Sequence, residues 1–168
     1  DLEKAKYFAG HSLGEYSALS CAGYLSFSDT LKILRIRGDA MHNSFPKGQG
    51  GMVAVLSSTV EIIEKLLKDN EQNFKVQIAN DNSDSQIVLS GKVDDLDKLI
   101  LTLKKNTIKN IKLPVSAPFH CSLMSKATDI MSNELNKLSF SQGENKLISN
   151  VTAKEISNTD ELKDLLIK

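Results

Sequence analysis

Cysteine is scarce in this sequence. Cys21 and Cys121 lie far apart, in no CxxC pair and with no neighbouring histidine at metal-ligand spacing. That excludes a disulfide framework and points to a reduced, intracellular protein, with a cytoplasmic location expected. A charge excess is missing too: Lys+Arg and Asp+Glu number 21 each. No global field is left to attract nucleic acid or an anionic membrane, and short clusters such as Lys104-Lys105 read as solvated helix ends. No apolar run is long enough to cross a bilayer. No signal or transit peptide is visible, and the chain opens with Asp1 rather than Met, as a piece of a longer protein would. Asn150-Val151-Thr152 matches a glycosylation sequon, a tripeptide that is common by chance.

What is present suffices for a core. Hydrophobic residues make up 40% of 168 positions, enough for one domain, or one domain with a small inserted subdomain. Tyr7-Phe8-Ala9 reads as a short strand, and a helix follows Gly10-His11-Ser12-Leu13-Gly14 and stops near Gly23. Ser28-Asp29 is expected to cap a second helix that runs to about His42. The Gly- and Pro-containing stretch 43–51 reads as a loop and a subdomain boundary.

The next stretch has its own rhythm. Residues 52–56 read as a strand. Ser58 and Glu61 form a capping box before a helix carrying Ile62, Ile63, Leu66 and Leu67. Residues 74–79 and 86–90 read as strands joined by a polar turn over 80–85. A helix over 94–103 and a strand over 108–113 complete the order β-α-β-β-α-β, that of a ferredoxin-like unit, placed at 51–113. The remainder, 1–50 and 114–168, belongs to a second subdomain. After Pro114 to His120 a long helix is expected with Leu123, Ala127, Ile130, Met131, Leu135 and Leu138 on its apolar side. A short strand over 147–150 and a last helix over 160–167 follow.

Three side chains stand out chemically. Ser12 is the centre of a G-x-S-x-G pattern between a strand and a helix, the context a nucleophile elbow requires. Such a turn is tight enough to demand small residues beside the serine. It lifts the hydroxyl clear of the sheet and aims the Leu13 N–H at a developing oxyanion, where the helix dipole also favours negative charge. A short Gly/Ser pattern also arises by chance; the strand before and the helix after separate this one from that background. His11, next in sequence to the serine, points elsewhere and reads as structural.

Arg37 falls inside the apolar arc of the second helix, between Ile33 and Met41, while Lys32, Arg35 and Asp39 share the polar face. A guanidinium there is costly without an anion. No acid on the same helix is placed to pair with it. Its partner is either a distant internal carboxylate such as Glu15 or a substrate carboxylate held bidentately. His120 follows two prolines and Phe119 and precedes a helix, whose N-terminus disfavours the imidazolium and keeps the ring able to accept a proton. The competitor, His42, lies at a helix end, where a histidine is usually solvated or caps carbonyls. Asp94, Asp95 and Asp97 are in order to orient the histidine but sit on the polar side of a helix, so no convincing triad acid is present. A Ser-His pair with a buried arginine fits acyl transfer better than hydrolysis. A serine thioesterase and a non-catalytic carrier-docking module are the competing readings.

Five blocks together carry a resemblance. They are Gly10 to Leu19 (GHSLGEYSAL), Arg37-Gly38 with Met41, Ala79 to Ser83 with Gln86 to Gly91, Leu113 to His120 (LPVSAPFH), and Ser149 to Ala153 (SNVTA). In order and spacing they resemble the malonyl-CoA:acyl-carrier-protein transacylase family over essentially the whole chain. The resemblance implies an α/β-hydrolase-like large subdomain with the ferredoxin-like insert, and activity in fatty acid biosynthesis or, alternatively, polyketide-type acyl transfer. It implies Ser12 as nucleophile, His120 as base and Arg37 as the clamp on a malonyl carboxylate, with Met41, Phe119 and Asn82 also at the substrate. Phe119 matches a pattern that goes with malonyl over methylmalonyl units, because its ring crowds an α-methyl group. Malonyl-CoA and an acyl carrier protein are the implied partners, no metal or bound cofactor is implied, and a monomer is expected. The family's N-terminal Gly-Gln-Gly-Ser-Gln-type segment, whose glutamine is the second oxyanion donor, has no counterpart here, nor does the C-terminal segment that orients the histidine. The chain is therefore expected to be a fragment lacking strands of the central sheet. Losing one oxyanion donor costs roughly 10²–10³ in rate, so in isolation it is expected to be weakly active or inactive.

Overall fold

The computed structural model describes residues 2–143 and 145–167. Its elements are β1 (Tyr7–Ala9), α1 (Leu13–Cys21), α2 (Phe27–Asn43), β2 (Gly50–Leu56), α3 (Val60–Asp69), β3 (Val76–Ser83), β4 (Gln86–Lys92), α4 (Val93–Lys105), β5 (Lys109–Lys112), α5 (Ser125–Leu135), β6 (Lys146–Ile148) and α6 (Thr159–Ile167). The chain divides into two compact units, Asp1–Ala40 with Ala127–Lys168, and Met41–Lys126.

In the first unit β1 and β6 pair in parallel, with Tyr7 opposite Lys146 and Ala9 opposite Ile148. The helices close over them with Tyr16 and Leu19 from α1, Ile33 from α2, Met131 and Leu135 from α5, and Leu162 and Leu165 from α6. The expected apolar stripe differs at two places: Ile130 is exposed, and Leu123 lies ahead of α5 and is only half-buried. One turn of 3₁₀ helix (Ser122–Met124) precedes α5 and shifts the phase, so that Met124 rather than Leu123 is the buried residue there.

The second unit is an antiparallel sheet in the order β3-β4-β2-β5, reached by the succession strand, helix, strand, strand, helix, strand. Side chains of β2 alternate between its faces. Val53 and Val55 join Ile63 and Leu66 of α3 and Leu96, Leu99 and Leu103 of α4 in one core. Met52 and Ala54 turn to the other face with Val88, and Leu113 and Phe119 pack on them. This unit is wider than the 51–113 expected because its flanks are tied to the sheet. Leu113 N–H donates to the Met52 carbonyl at 2.9 Å and Gly48 N–H to the Ser116 carbonyl at 3.2 Å. Ser122 N–H donates to Gln77 Oε1 at 2.7 Å.

Three local expectations shift. The cap of α2 is Ser26, whose Oγ accepts from Asp29 N–H at 3.0 Å and donates to Asp29 Oδ2 at 2.8 Å. Among the described residues the capping box expected from Ser58 to Glu61 is not formed, and Thr59 is the residue at the N-cap of α3. The polar stretch 80–83 belongs to β3 rather than to a turn, accommodated by register shifts between Ile78 and Asn80 and between Asp81 and Ser83.

Candidate functional site

The C-terminal ends of β1 and β6 lie side by side, and each runs directly into a loop. The loop after β1 turns so tightly into α1 that a Cβ on Gly10 would lie 2.0 Å from the Gly14 backbone. Only glycine fits there. Gly14 itself is not so constrained: a Cβ there meets nothing within 4 Å. The need for small residues on both sides of the serine therefore holds at Gly10 alone.

Ser12 sits at the N-cap of α1 with φ 53° and ψ −110°. An L-residue held there stores about 1–3 kcal/mol of strain and stays only where its surroundings over-determine it. Two contacts do so. Ser12 N–H donates to Asn150 Oδ1 at 2.7 Å, and Ser12 Oγ accepts from Arg37 Nη2 at 2.8 Å. Leu13 is the first residue of α1, where a backbone N–H has no acceptor within the helix.

Arg37 is half-buried on α2, and its guanidinium carbon lies 5.7 Å from the Tyr16 ring centroid, within cation–π range. Burial pushes the Tyr16 hydroxyl up to about 12, against the opposing pull of Arg37, so the phenol stays protonated. Glu15 is buried beside them. Desolvation raises its carboxyl above the usual value, although the Asn150 N–H and the Arg37 charge both act to lower it. Glu15 Oε1 accepts from Asn150 N–H at 2.9 Å. Among the described residues Arg37 makes no ion pair within 4.0 Å. Its charge acts on the Glu15 carboxyl through space rather than in a direct ion pair.

The remaining expected residues belong to the second unit. His120 is exposed, with φ 57°, in a turn just before the 3₁₀ segment. The chain ahead of it is firmly seated. Ala117 and Pro118 are buried, and Pro118 approaches so closely that a Cβ on Gly50 would lie 2.3 Å from its ring. Cys121 Sγ then donates to the Pro118 carbonyl at 3.1 Å. Phe119 is half-buried against Met52, Ala54 and Val88. Met41 is half-buried in the last turn of α2. Asn82 is exposed on β3, its amide donating to Gln86 Oε1 at 3.0 Å across the hairpin. A cleft of about 680 Å³ in this unit is lined by Phe74, Gln77, Gly91, Cys121 and Ser122, among others, but not by Met41, Asn82 or Phe119. Of the acids considered as histidine orienters, Asp95 is 3.8 Å from Lys98 and Asp97 is 2.9 Å from Lys112. His11 and His42 are both exposed.

Ser12 and Arg37 are thus brought into direct contact, and Glu15, the internal carboxylate considered for Arg37, acts on it electrostatically without an ion pair within 4.0 Å. Asn150 is the participant that the reading of the sequence missed. The only signal for it was its place in the SNVTA block, where the sequon offered a competing explanation.

A family model described as "Acyl transferase domain" matches residues 3–164. The malonyl CoA-acyl carrier protein transacylase of Bacillus subtilis strain 168 is 38% identical over 164 residues, covering 96% of this chain and 52% of that protein. The crystal structure of the malonyl CoA-acyl carrier protein transacylase from Clostridium perfringens superposes with a TM-score of 0.93 at 39% identity, covering 98% of this chain and 52% of that one. A malonyl-transacylase solved in complex with its type II PKS acyl-carrier protein superposes at 0.91 with 32% identity, covering 98% and 54%. The chain spans about half the length of the curated relatives it matches. With an elbow serine hydrogen-bonded to an arginine, and with these matches along nearly its whole length, the chain belongs to the acyl transferase domain family.

Proposed function

We propose that this chain serves transfer of a malonyl group from malonyl-CoA to the phosphopantetheine thiol of an acyl carrier protein, as a step of fatty acid synthesis in the cytoplasm. Ser12 Oγ attacks the thioester carbonyl and gives its proton to His120. The Leu13 N–H holds the oxyanion. The C–S bond breaks, the leaving thiolate takes the proton from His120, and a malonyl ester remains on Ser12. The carrier thiol then attacks that ester, again giving its proton to His120, and Ser12 recovers its hydrogen as the malonyl thioester departs. This is covalent catalysis in two half-reactions, and its chemistry calls on no metal or bound cofactor.

One observation carries the reading: Arg37 Nη2 is 2.8 Å from Ser12 Oγ, with no ion pair to Arg37 among the described residues. A short acyl group on Ser12 that ends in a carboxylate meets this guanidinium; a neutral acyl group leaves it unsatisfied. Names of relatives point the same way, since they specify malonyl transfer to acyl carrier protein. The unpaired cysteines fit a reducing compartment. The same reading takes the four-stranded unit as a ferredoxin-like insert in an α/β-hydrolase-like domain, supported by its strand order and by the parallel β1–β6 pair. In it Met41, Phe119 and Asn82 are contacts of the acyl chain, and the protein acts as a monomer.

The test is Arg37→Ala in the protein that carries this chain. Transfer of malonyl should fall by about thirtyfold or more, the equivalent of about 2 kcal/mol for a hydrogen-bonded charge pair, while transfer of acetyl changes far less. Equal losses on both substrates would remove the clamp from the mechanism.

A further inference from the structure

We infer that Asn150 is a positioning residue for Ser12, fixed in turn by Glu15. The inference rests on Ser12 being the acylated residue and goes beyond it, to what holds that residue in an uncommon backbone geometry.

The three residues form a closed circuit within the first unit. β1 leads to Ser12 and β6 leads to Asn150, and their pairing sets Ala9 opposite Ile148. The two loops therefore start side by side. Asn150 Oδ1 accepts the Ser12 N–H at 2.7 Å. The Asn150 backbone N–H donates to Glu15 Oε1 at 2.9 Å. Glu15 lies in the first turn of α1, the helix that Ser12 caps, and Glu15 N–H returns to the Ser12 carbonyl at 3.1 Å. Every link is a hydrogen bond, and Glu15 is buried.

The loop bearing Asn150 is itself braced. Ser149 is buried, and its Oγ accepts from Val151 N–H at 3.1 Å and Thr152 N–H at 3.4 Å. Ser149 N–H donates to the Lys154 carbonyl, and Ala153 N–H to the Ser149 carbonyl, both at 2.9 Å. Asn150 is itself exposed, but the loop that carries it is anchored at the buried Ser149.

Two consequences follow for the chemistry. The acceptor fixes the plane of the peptide between His11 and Ser12, and with it the direction of Oγ toward Arg37. It also occupies the Ser12 N–H, leaving the Leu13 N–H as the elbow's donor to an oxyanion. Without Asn150 Oδ1, φ of Ser12 is free to relax toward ordinary values and carry Oγ off its line of attack.

The experiment compares Asn150→Leu, which keeps the bulk and removes the acceptor, with Asn150→Asp, which keeps the acceptor. Each is placed in the protein that carries this chain and assayed for acylation by malonyl-CoA. Asn150→Leu should lower kcat by about 10–100-fold, the order expected for an ångström of misplacement, with KM nearly unchanged. Asn150→Asp should recover most of that loss. Equal losses in both variants, a loss confined to KM, or full activity in Asn150→Leu would each overturn the inference. Should Asn150→Leu fail to fold, hydrogen exchange on the unmodified protein decides. The Ser12 amide should exchange slowly despite its place at a helix N-terminus, and rapid exchange would contradict the circuit. Failure of the unmodified protein to acylate at all would instead strike the proposed function.

Discussion

Glu15 and Tyr16 are adjacent, both buried, and both ionisable, yet their situations differ. Tyr16 is neutral at any physiological pH, because burial raises its hydroxyl to about 12. Glu15 is the group that titrates. Its carboxyl is raised above 4.5 in the folded protein, first by desolvation. A raised carboxyl favours the folded state fully below the unfolded value of about 4.5, and that contribution is lost as pH rises through the folded value. Near neutrality the protein therefore bears the cost of a charged carboxylate inside. Glu15→Gln keeps an acceptor for Asn150 N–H and removes that cost. In thermal melts the variant should be the more stable protein at pH 7, and the advantage should disappear below pH 4.5. A variant that melts lower at pH 7 would mean that the attraction to Arg37 and the Asn150 hydrogen bond outweigh desolvation. Residues of this kind are only partly legible in a sequence. Ser12 and Arg37 could be read because a pattern and a helical projection each expose an anomaly. Asn150 could not, because its role depends on which strands pair, and that is set by β1 and β6, far apart in the chain.

Element placement was legible where one signal dominates. β1 is where the apolar triplet ahead of the elbow put it, and α4 follows the period of Leu96, Leu99 and Leu103. Boundaries moved where several residues could serve the same end. Ser26 and Ser28 both suit the start of α2, as do Ser58 and Thr59 for α3, and tertiary packing selects between them. The 80–83 stretch was misread for another reason. Asn, Asp and Ser favour turns, but at an exposed hairpin end they also extend a strand whose partner is strongly paired. The elbow yields a sharper expectation at this scale. Gly10→Ala places a Cβ against backbone that cannot move aside, and should destabilise by about 3 kcal/mol or more. Gly14→Ala fills open space within a helix and should be neutral or stabilising by up to about 1 kcal/mol. Denaturant unfolding of the two variants checks this. Equal destabilisation would show that the loop into α1 is looser than the structure has it.

At the scale of the whole molecule, each unit has its own core, one built on a parallel pair of strands and one on an antiparallel sheet of four. The second unit could be read almost complete from its β-α-β-β-α-β rhythm, because all its strands are contiguous in sequence and its helices are amphipathic. Its limits were harder. Stretch 43–51 reads as a loop and the segment from 114 as part of the other subdomain, yet both flanks join the sheet through backbone hydrogen bonds and the seat of Pro118 on Gly50. Ser12, Arg37, Glu15 and Asn150 all belong to the first unit, and His120 to the second.

The most direct test of the proposed function is intact-protein and peptide mass spectrometry of the protein carrying this chain, before and after mixing with malonyl-CoA, beside its Ser12→Ala variant. The account predicts a malonyl adduct located on Ser12 that is absent from the variant. An adduct that persists in Ser12→Ala, or steady release of free malonate with no adduct on any residue, would contradict it.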